Sequence, residues 1–277
     1  MHKEPPHPET PCRDEAALTP SVPQTLEQAL QLLAQREQEL AALRAVQQEW
    51  VHAVSHDLRA PLRHVLSFGP LVTELLQAER PAAEDVQEAR SFLQTMDRSA
   101  RRMAAMFDGL LLLSRAARQP LQWQPVDLGG LLQEQIAQLQ QPDTDRVQWQ
   151  LPPQYPAVRA DIPLLRQALQ AVLANALKFT RAVAQPRIEV TAERHAEGGG
   201  ITLTVRDNGV GFDAARAAAL FGIFQRMHRE TEYEGVGIGL ALARTACRRM
   251  GGDASIAAAP GQGCSVTLHW PGGWDRR

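Results

Sequence analysis

Residues 55–62 read Ser55-His56-Asp57-Leu58-Arg59-Ala60-Pro61-Leu62, and the apolar spacing around them decides the architecture of the first half of the chain. Val54, Leu58, Leu62, Val65 and Leu66 recur at the intervals of one helix face, a pattern that runs to about Glu79. Pro61 lies inside this run, and its missing N–H predicts a bend just past His56. Arg80-Pro81-Ala82-Ala83 predicts a connection. Beyond it Val86, Ala89, Leu93, Met96, Ala100, Met103, Phe107, Leu110 and Leu111 describe a second long amphipathic helix. The two runs predict a helical hairpin over 50–118. A hairpin with one apolar stripe buries too little surface to stand alone, so two chains pairing into a dimeric four-helix bundle is the expected solution.

Toward the N-terminus, Leu26, Leu33 and Leu40 repeat every seven residues, with Ala29, Leu43 and Trp50 at companion positions. This predicts a coiled-coil helix over 24–49. Arg36 and Gln47 occupy core positions of that seam, so a single amphipathic helix stands as the competing reading. Residues 1–23 carry Pro5, Pro6, Pro8, Pro11, Pro20 and Pro23 among charges, which predicts a disordered tail. The opening residues lack the apolar core of an export signal.

Toward the C-terminus, Pro120 and Pro125 around Trp123 predict a linker over 119–126. Residues 127–272 show mixed periodicity. Helices are expected at 128–140, 162–179 and 239–250, and strands at 146–151, 157–160, 187–194, 201–207, 253–258 and 264–270. Residues 273–277 are left as a tail. The class is α+β, a helical hairpin followed by an α/β-sandwich domain. Residues 212–234 fall in a long loop, and long loops in compact domains act as lids.

Composition narrows the function. The 277 residues include 29 Lys plus Arg against 31 Asp plus Glu, so no strongly basic surface draws the chain to a phosphate backbone, and nucleic acid is not an expected partner. Cys12, Cys247 and Cys264 have neither metal-site nor disulfide spacing, which fits a reducing, cytoplasmic setting. The longest uncharged stretch, Ala254 to Trp274, is broken by Pro260, Gly261, Gly263 and Pro271, so no membrane insertion is expected.

Three further runs follow the 55–62 box in order: Asn175-Ala176-Leu177-Lys178-Phe179-Thr180 at a helix end, Asp207-Asn208-Gly209-Val210-Gly211 after a strand, and Gly235-Val236-Gly237-Ile238-Gly239-Leu240 opening a helix. Singly, each glycine run says little. Asn208-Gly209 is a favoured hairpin turn pair, and the last run echoes a dinucleotide fingerprint without the βαβ unit that motif requires. In this order, however, the runs resemble those of the sensor histidine kinases of two-component signalling, over roughly residues 25–272. The stretch Leu220-Phe221-Gly222-Ile223-Phe224-Gln225-Arg226-Met227-His228 is similar to the nucleotide lid of phytochrome-like kinases.

A solvent-facing imidazole such as that of His56 is a nucleophile near pH 7. The resemblance makes His56 the phospho-acceptor and Asp57 its acid–base partner, although adjacent helix residues point about a quarter turn apart, so their contact is not guaranteed. Asn175 and Lys178, three apart, share a helix face. The resemblance assigns Asn175 to the Mg²⁺ that bridges the phosphates of ATP and Lys178 to their charge. The Asp207 carboxylate can accept the exocyclic amine hydrogen of adenine, while Gly209 and Gly211 admit the base close to the backbone. Gly235, Gly237 and Gly239 precede a helix whose first amides can receive phosphate oxygens. By similarity, Arg226 contacts the γ-phosphate, Phe221 and Phe224 anchor the lid, and Gly261-Gln262-Gly263 forms a last turn beside the base. Three positions depart from the family pattern: Ala171 stands where many members carry a second asparagine, Val236 where threonine is usual, and Ala60 where threonine or asparagine positions a hydrolytic water. The last departure predicts weak phosphatase activity.

The resemblance implies ATP-dependent autophosphorylation of His56 in a homodimer, then transfer to an aspartate on the receiver domain of a response regulator. Residues 1–24 are too few for a sensor domain, so either a separate sensor protein is an expected partner, acting through the coiled coil, or the polypeptide is incomplete. A non-kinase ATPase of the same nucleotide fold leaves the His56 box unexplained. A degenerate kinase serving as a scaffold sits badly with intact His56, Asn175 and Asp207.

Overall fold

The computed structural model describes residues 25–77, 82–140, 146–195, 199–228 and 232–271, so both expected tails and the Arg80-Pro81 connection lie outside it. The chain divides into two units, Met1–Glu49 and Trp50–Arg277. Helix α1, Leu26–Leu75, keeps helical backbone through both Pro61 and Pro70. Of the expected coiled-coil seam, Leu26 and Leu33 are exposed, and the side chains of Ala29, Leu40, Leu43 and Trp50 lie outside the described ones.

Helix α2, Ala83–Arg118, starts where the Asp85 carboxylate accepts from Ala82 N at 3.2 Å. Glu84 and Asp85 in its first turn and Arg115 and Arg118 in its last complement the helix dipole. The helices run antiparallel: Phe68 stacks on Phe92 at 4.9 Å between ring centroids, and the Ser99 hydroxyl lies 3.4 Å from His64 Nδ1. Leu62, Leu66, Leu93, Phe107 and Leu111 remain exposed, so the hairpin carries apolar surface beyond what its own pairing covers.

The proline-flanked segment 119–126 is a linker only in its first half. Trp123–Val126 forms strand β1, antiparallel to β3, Val158–Asp161, with Trp123 opposite Asp161. Pro125 donates nothing to a ladder, which suits a two-stranded ribbon, and buried Val126 fastens it to the core. The expected strand near 157–160 therefore forms, but outside the main sheet.

Helix α3, Leu128–Leu139, is capped by Asp127, which accepts from Gly130 N at 3.0 Å, and α4, Ile162–Thr180, is capped by Asp161, which accepts from Leu164 N at 3.0 Å. The remaining elements are β2 (Gln148–Gln150), β4 (Arg187–Arg194), β5 (Gly200–Asp207), a 3₁₀ turn at Ala214–Phe221, α5 (Gly239–Arg249), β6 (Asp253–Ala258) and β7 (Cys264–Pro271). The main sheet has five strands in the order β2-β4-β5-β7-β6, parallel only between β2 and β4. Ile188, Val190, Leu203, Val205, Val266 and Leu268 face Leu165, Leu169, Val172 and Leu173 of α4 in one core. The opposite face is polar, with the Thr204 and Thr267 hydroxyls 3.1 Å apart. This alternation makes a two-layer α/β sandwich.

Trp270 joins the two sheets. It is fully buried in β7, and its indole N–H donates to Arg159 O of β3 at 3.2 Å. Trp270→Ala is expected to destabilise the nucleotide domain by about 3–5 kcal/mol, measured by urea denaturation with a far-ultraviolet signal.

Candidate functional site

The end of α4, the end of β5 and the start of α5 converge on a cavity of about 220 Å³. Val172, Leu173, Ala176 and Leu177 hold the inner face of α4, which turns Asn175 and Lys178 outward together, and both line the cavity. The helix ends at Thr180, whose hydroxyl donates to Ala176 O at 2.8 Å and Leu177 O at 3.1 Å. Asp207, Gly211, Arg226, Gly235, Gly237 and Gly239 line the same space.

Asp207 is only 6% exposed. Burial pushes its carboxyl up to about 6, against the opposing pull of N–H donation from Gly209 and Cys264. Both donors reach Oδ1, at 2.8 and 3.3 Å, which leaves Oδ2 as an acceptor for a ligand amine. Cys264, also on the cavity wall, has its thiol pushed up to about 12 by burial and is a neutral surface for a flat ring.

The glycines divide by role. Gly211, Gly235 and Gly237 have left-handed φ of 60°, 114° and 78°, and Gly239 opens α5 beside Asn175. Gly209 is placed differently from expectation. It does not line the cavity, and a Cβ there would lie 2.5 Å from Phe179 O, so its missing side chain serves backbone approach and not ligand contact.

The cations are held by the main-chain carbonyls of Tyr233 and Glu234. Lys178 Nζ donates to Glu234 O at 3.2 Å, and an Arg226 Nη2–H donates to Tyr233 O. Burial, and next the charge of Arg226, bring the Lys178 ammonium below its ordinary value, while Glu234 opposes them. Arg181 in turn grips the Glu234 carboxylate at 2.9 and 3.3 Å. The rings of Phe179, His228 and Tyr233 pack at 5.0 to 5.3 Å between centroids. Tyr233 was not legible as a site residue, since the contact spans more than fifty positions. Of the expected anchors, Phe221 carries the Arg244 guanidinium 4.8 Å above its ring, whereas Phe224 is buried against Met106 of α2 and Ile238.

His56 and Asp57 lie on α1, outside the cavity lining. The His56 side chain is 74% exposed, and its Nδ1 is 3.0 Å from Asp57 Oδ1, so the uncertain contact between neighbours is made. A carboxylate acceptor places the ring proton on Nδ1 and leaves the Nε2 lone pair facing solvent.

The comparisons with known proteins follow this division. A family model described as His Kinase A (phospho-acceptor) domain matches residues 46–119, and one described as Histidine kinase-, DNA gyrase B-, and HSP90-like ATPase matches residues 160–273. The adaptive-response sensory kinase SasA of Synechococcus sp. is 30% identical over 267 residues, covering 92% of this chain and 69% of SasA. Cyanobacterial phytochrome A of Nostoc sp. is 30% identical over 212 residues, covering 76% of this chain, and the aerobic respiration control sensor protein ArcB of Escherichia coli is 29% identical over 229 residues, covering 79%. The chain spans only 27% of that phytochrome's length and 28% of ArcB's. Among solved structures, full-length ShkA in complex with AMPPNP matches with a TM-score of 0.51 at 27% identity, over 80% of this chain and 45% of ShkA. Residues 55–62 fall within the first matched segment and the cavity residues within the second, and the chain belongs to the sensor histidine kinases.

Proposed function

We propose that the chain phosphorylates itself on His56 with MgATP and passes the phosphoryl group to an aspartate of a response-regulator receiver domain. The observation that carries this reading is one cavity holding a buried carboxylate acceptor, an outward carboxamide, two cations and a glycine cradle, in a chain that also exposes an imidazole polarised by a carboxylate. Asp207 Oδ2 accepts from the adenine amine, Lys178 and Arg226 take phosphate oxygens, and the first amides of α5 add donors. Asn175 would hold Mg²⁺. Its carboxamide oxygen is a hard donor of the kind Mg²⁺ accepts beside phosphate and water oxygens. When bound, Mg²⁺ supplies charge neutralisation on the phosphates.

In the transfer, His56 Nε2 attacks the γ-phosphorus, the P–N bond forms as the bond to the β,γ-bridging oxygen breaks, and ADP leaves with that electron pair. Asp57 holds the Nδ1 proton and stabilises the imidazolium until the proton is released. The exposed Leu62, Leu66, Leu93, Phe107 and Leu111 support a homodimeric four-helix bundle, because pairing would cover them. Among the described residues no helix is long and apolar enough to cross a membrane, and free Cys247 and Cys264 support a cytoplasmic setting.

Incubation with γ-labelled ATP is expected to place acid-labile, base-stable label on the wild type and none on His56→Gln, and label that persists in His56→Gln overturns the assignment. Ala60, exposed one helical turn after His56, presents a methyl where a water would need a partner. Ala60→Thr is therefore expected to raise hydrolysis of regulator phosphate severalfold, followed by loss of label from a phosphorylated receiver. ATP affinity carries the Asp207 titration. Its carboxyl, raised to about 6, is ionised and accepting above that pH and neutral below it. Affinity is expected to be flat above pH 7 and to fall about tenfold per unit below pH 6, read with a fluorescent ATP analogue, and Asp207→Asn is expected to abolish the step.

A further inference from the structure

The first residue of β6 gathers two arginines of α5 on one carboxylate. Asp253 accepts from Arg244 Nε through Oδ1 at 2.7 Å and from Arg244 Nη2 through Oδ2 at 2.9 Å, and Arg248 reaches the same two oxygens at 3.1 and 3.5 Å. Ala254 N adds a bond to Oδ1 at 2.9 Å. Donation from Arg244, above all, holds the Asp253 carboxyl well below the usual carboxylate range. An ordinary surface ion pair fixes little. Here two carboxylate oxygens receive two nitrogens along one edge of the Arg244 guanidinium, which sets the plane of that group as well as its place.

The plane so fixed meets a ring. The guanidinium carbon of Arg244 lies over Phe221, 4.8 Å from its centroid. Phe221 closes the 3₁₀ turn and packs against the core of the nucleotide domain. None of Asp253, Arg244 and Phe221 lines the cavity, yet the chain that leaves Phe221 does so at Gln225 and Arg226. A second tie lies between. The Phe224 N–H donates to Gly237 O at 2.9 Å, and a Cβ on Gly237 would stand 2.7 Å from Gln225 O and 3.1 Å from Arg226 Cγ. Residues 221–226 are thus held at their first member by Arg244 and near their last by Gly237, which limits where the Arg226 side chain can start.

We infer that Asp253 is a positioning residue for phosphoryl transfer: by setting Arg244 against Phe221 it fixes the root of residues 221–226, and with it the point from which Arg226 meets the terminal phosphate of ATP. The inference rests on the reading above, in which Arg226 takes phosphate oxygens, and adds to it a carboxylate that touches no substrate.

Two variants on different elements test it. Asp253→Asn keeps the shape but offers the guanidinium one acceptor and no charge, and Arg244→Gln removes the cation from the ring. In the full-length chain, each is expected to raise the dissociation constant of a fluorescent ATP analogue about fivefold, the worth of one cation–π contact, and to leave that of the matching ADP analogue unchanged, because only the longer nucleotide reaches Arg226. Phe221→Leu is expected to reproduce this selective loss, whereas Phe221→Tyr, which keeps an aromatic face, is expected to retain wild-type affinity. Asp253→Asn added to Phe221→Leu is expected to cost nothing more, since the two residues act in series. Equal losses of ATP and ADP affinity would make Asp253 merely structural and overturn the inference. Unchanged ATP affinity, or effects of Asp253→Asn and Phe221→Leu that multiply, would overturn it as well. Should Asp253→Asn unfold, Arg244→Gln decides alone. Absence of label on wild-type His56 would count against the kinase reading, while the comparison of ATP with ADP would still judge Asp253.

Discussion

A main-chain contact between the end of β5 and the end of α4 is the constraint on which the site depends. Gly209 lies against Phe179 O, and Val210 N donates to that carbonyl at 3.3 Å. No side chain can stand between the two elements at this distance. Asp207 is thereby carried under the helix end, with Gly263 passing so close to its carbonyl that a Cβ there would collide with it. The desolvation that raises the Asp207 carboxyl follows from this approach. So does the gathering of Asp207, Asn175 and Lys178 on one cavity, which lets a single ligand reach all three together.

The same cavity concentrates positive charge, and the fold answers with carbonyls. Lys178, Arg181 and Arg226 approach one another beside residues 233–234, where burial and then the charges of the two guanidinium groups disfavour the Lys178 ammonium. Two peptide oxygens, of Tyr233 and Glu234, and the Glu234 carboxylate accept from them. These acceptors resemble phosphate oxygens in chemistry, so the cations are already arranged to receive a polyanion.

Much of this was readable from the residues, and what was not has a common physical origin. The hairpin was legible because apolar residues at helical spacing leave little choice of face. Asn175, Asp207 and the last glycine run were legible only through their order along the chain, because carboxamide, carboxylate and glycine are each ordinary at element ends. Strand β1 was hidden by its prolines, since its partner β3 is more than thirty residues away and pairing of that kind leaves no local pattern. Gly209 was legible as a required glycine but not as a structural one, because sequence does not say whether a ligand or the chain's own backbone makes the close approach. The seating of Phe224 on α2 was hidden for the reason that applies to β1.

Pro61 carries a mechanical consequence. Lacking an N–H, it cannot bond the main-chain oxygen of Asp57, four residues earlier in the continuous helix α1. That rung is missing from the same turn that bears the His56 imidazole and the Asp57 carboxylate. Torque or flexure applied along the stalk would therefore be absorbed first at this compliant spot, and the orientation of the imidazole would respond before either helix lost its packing.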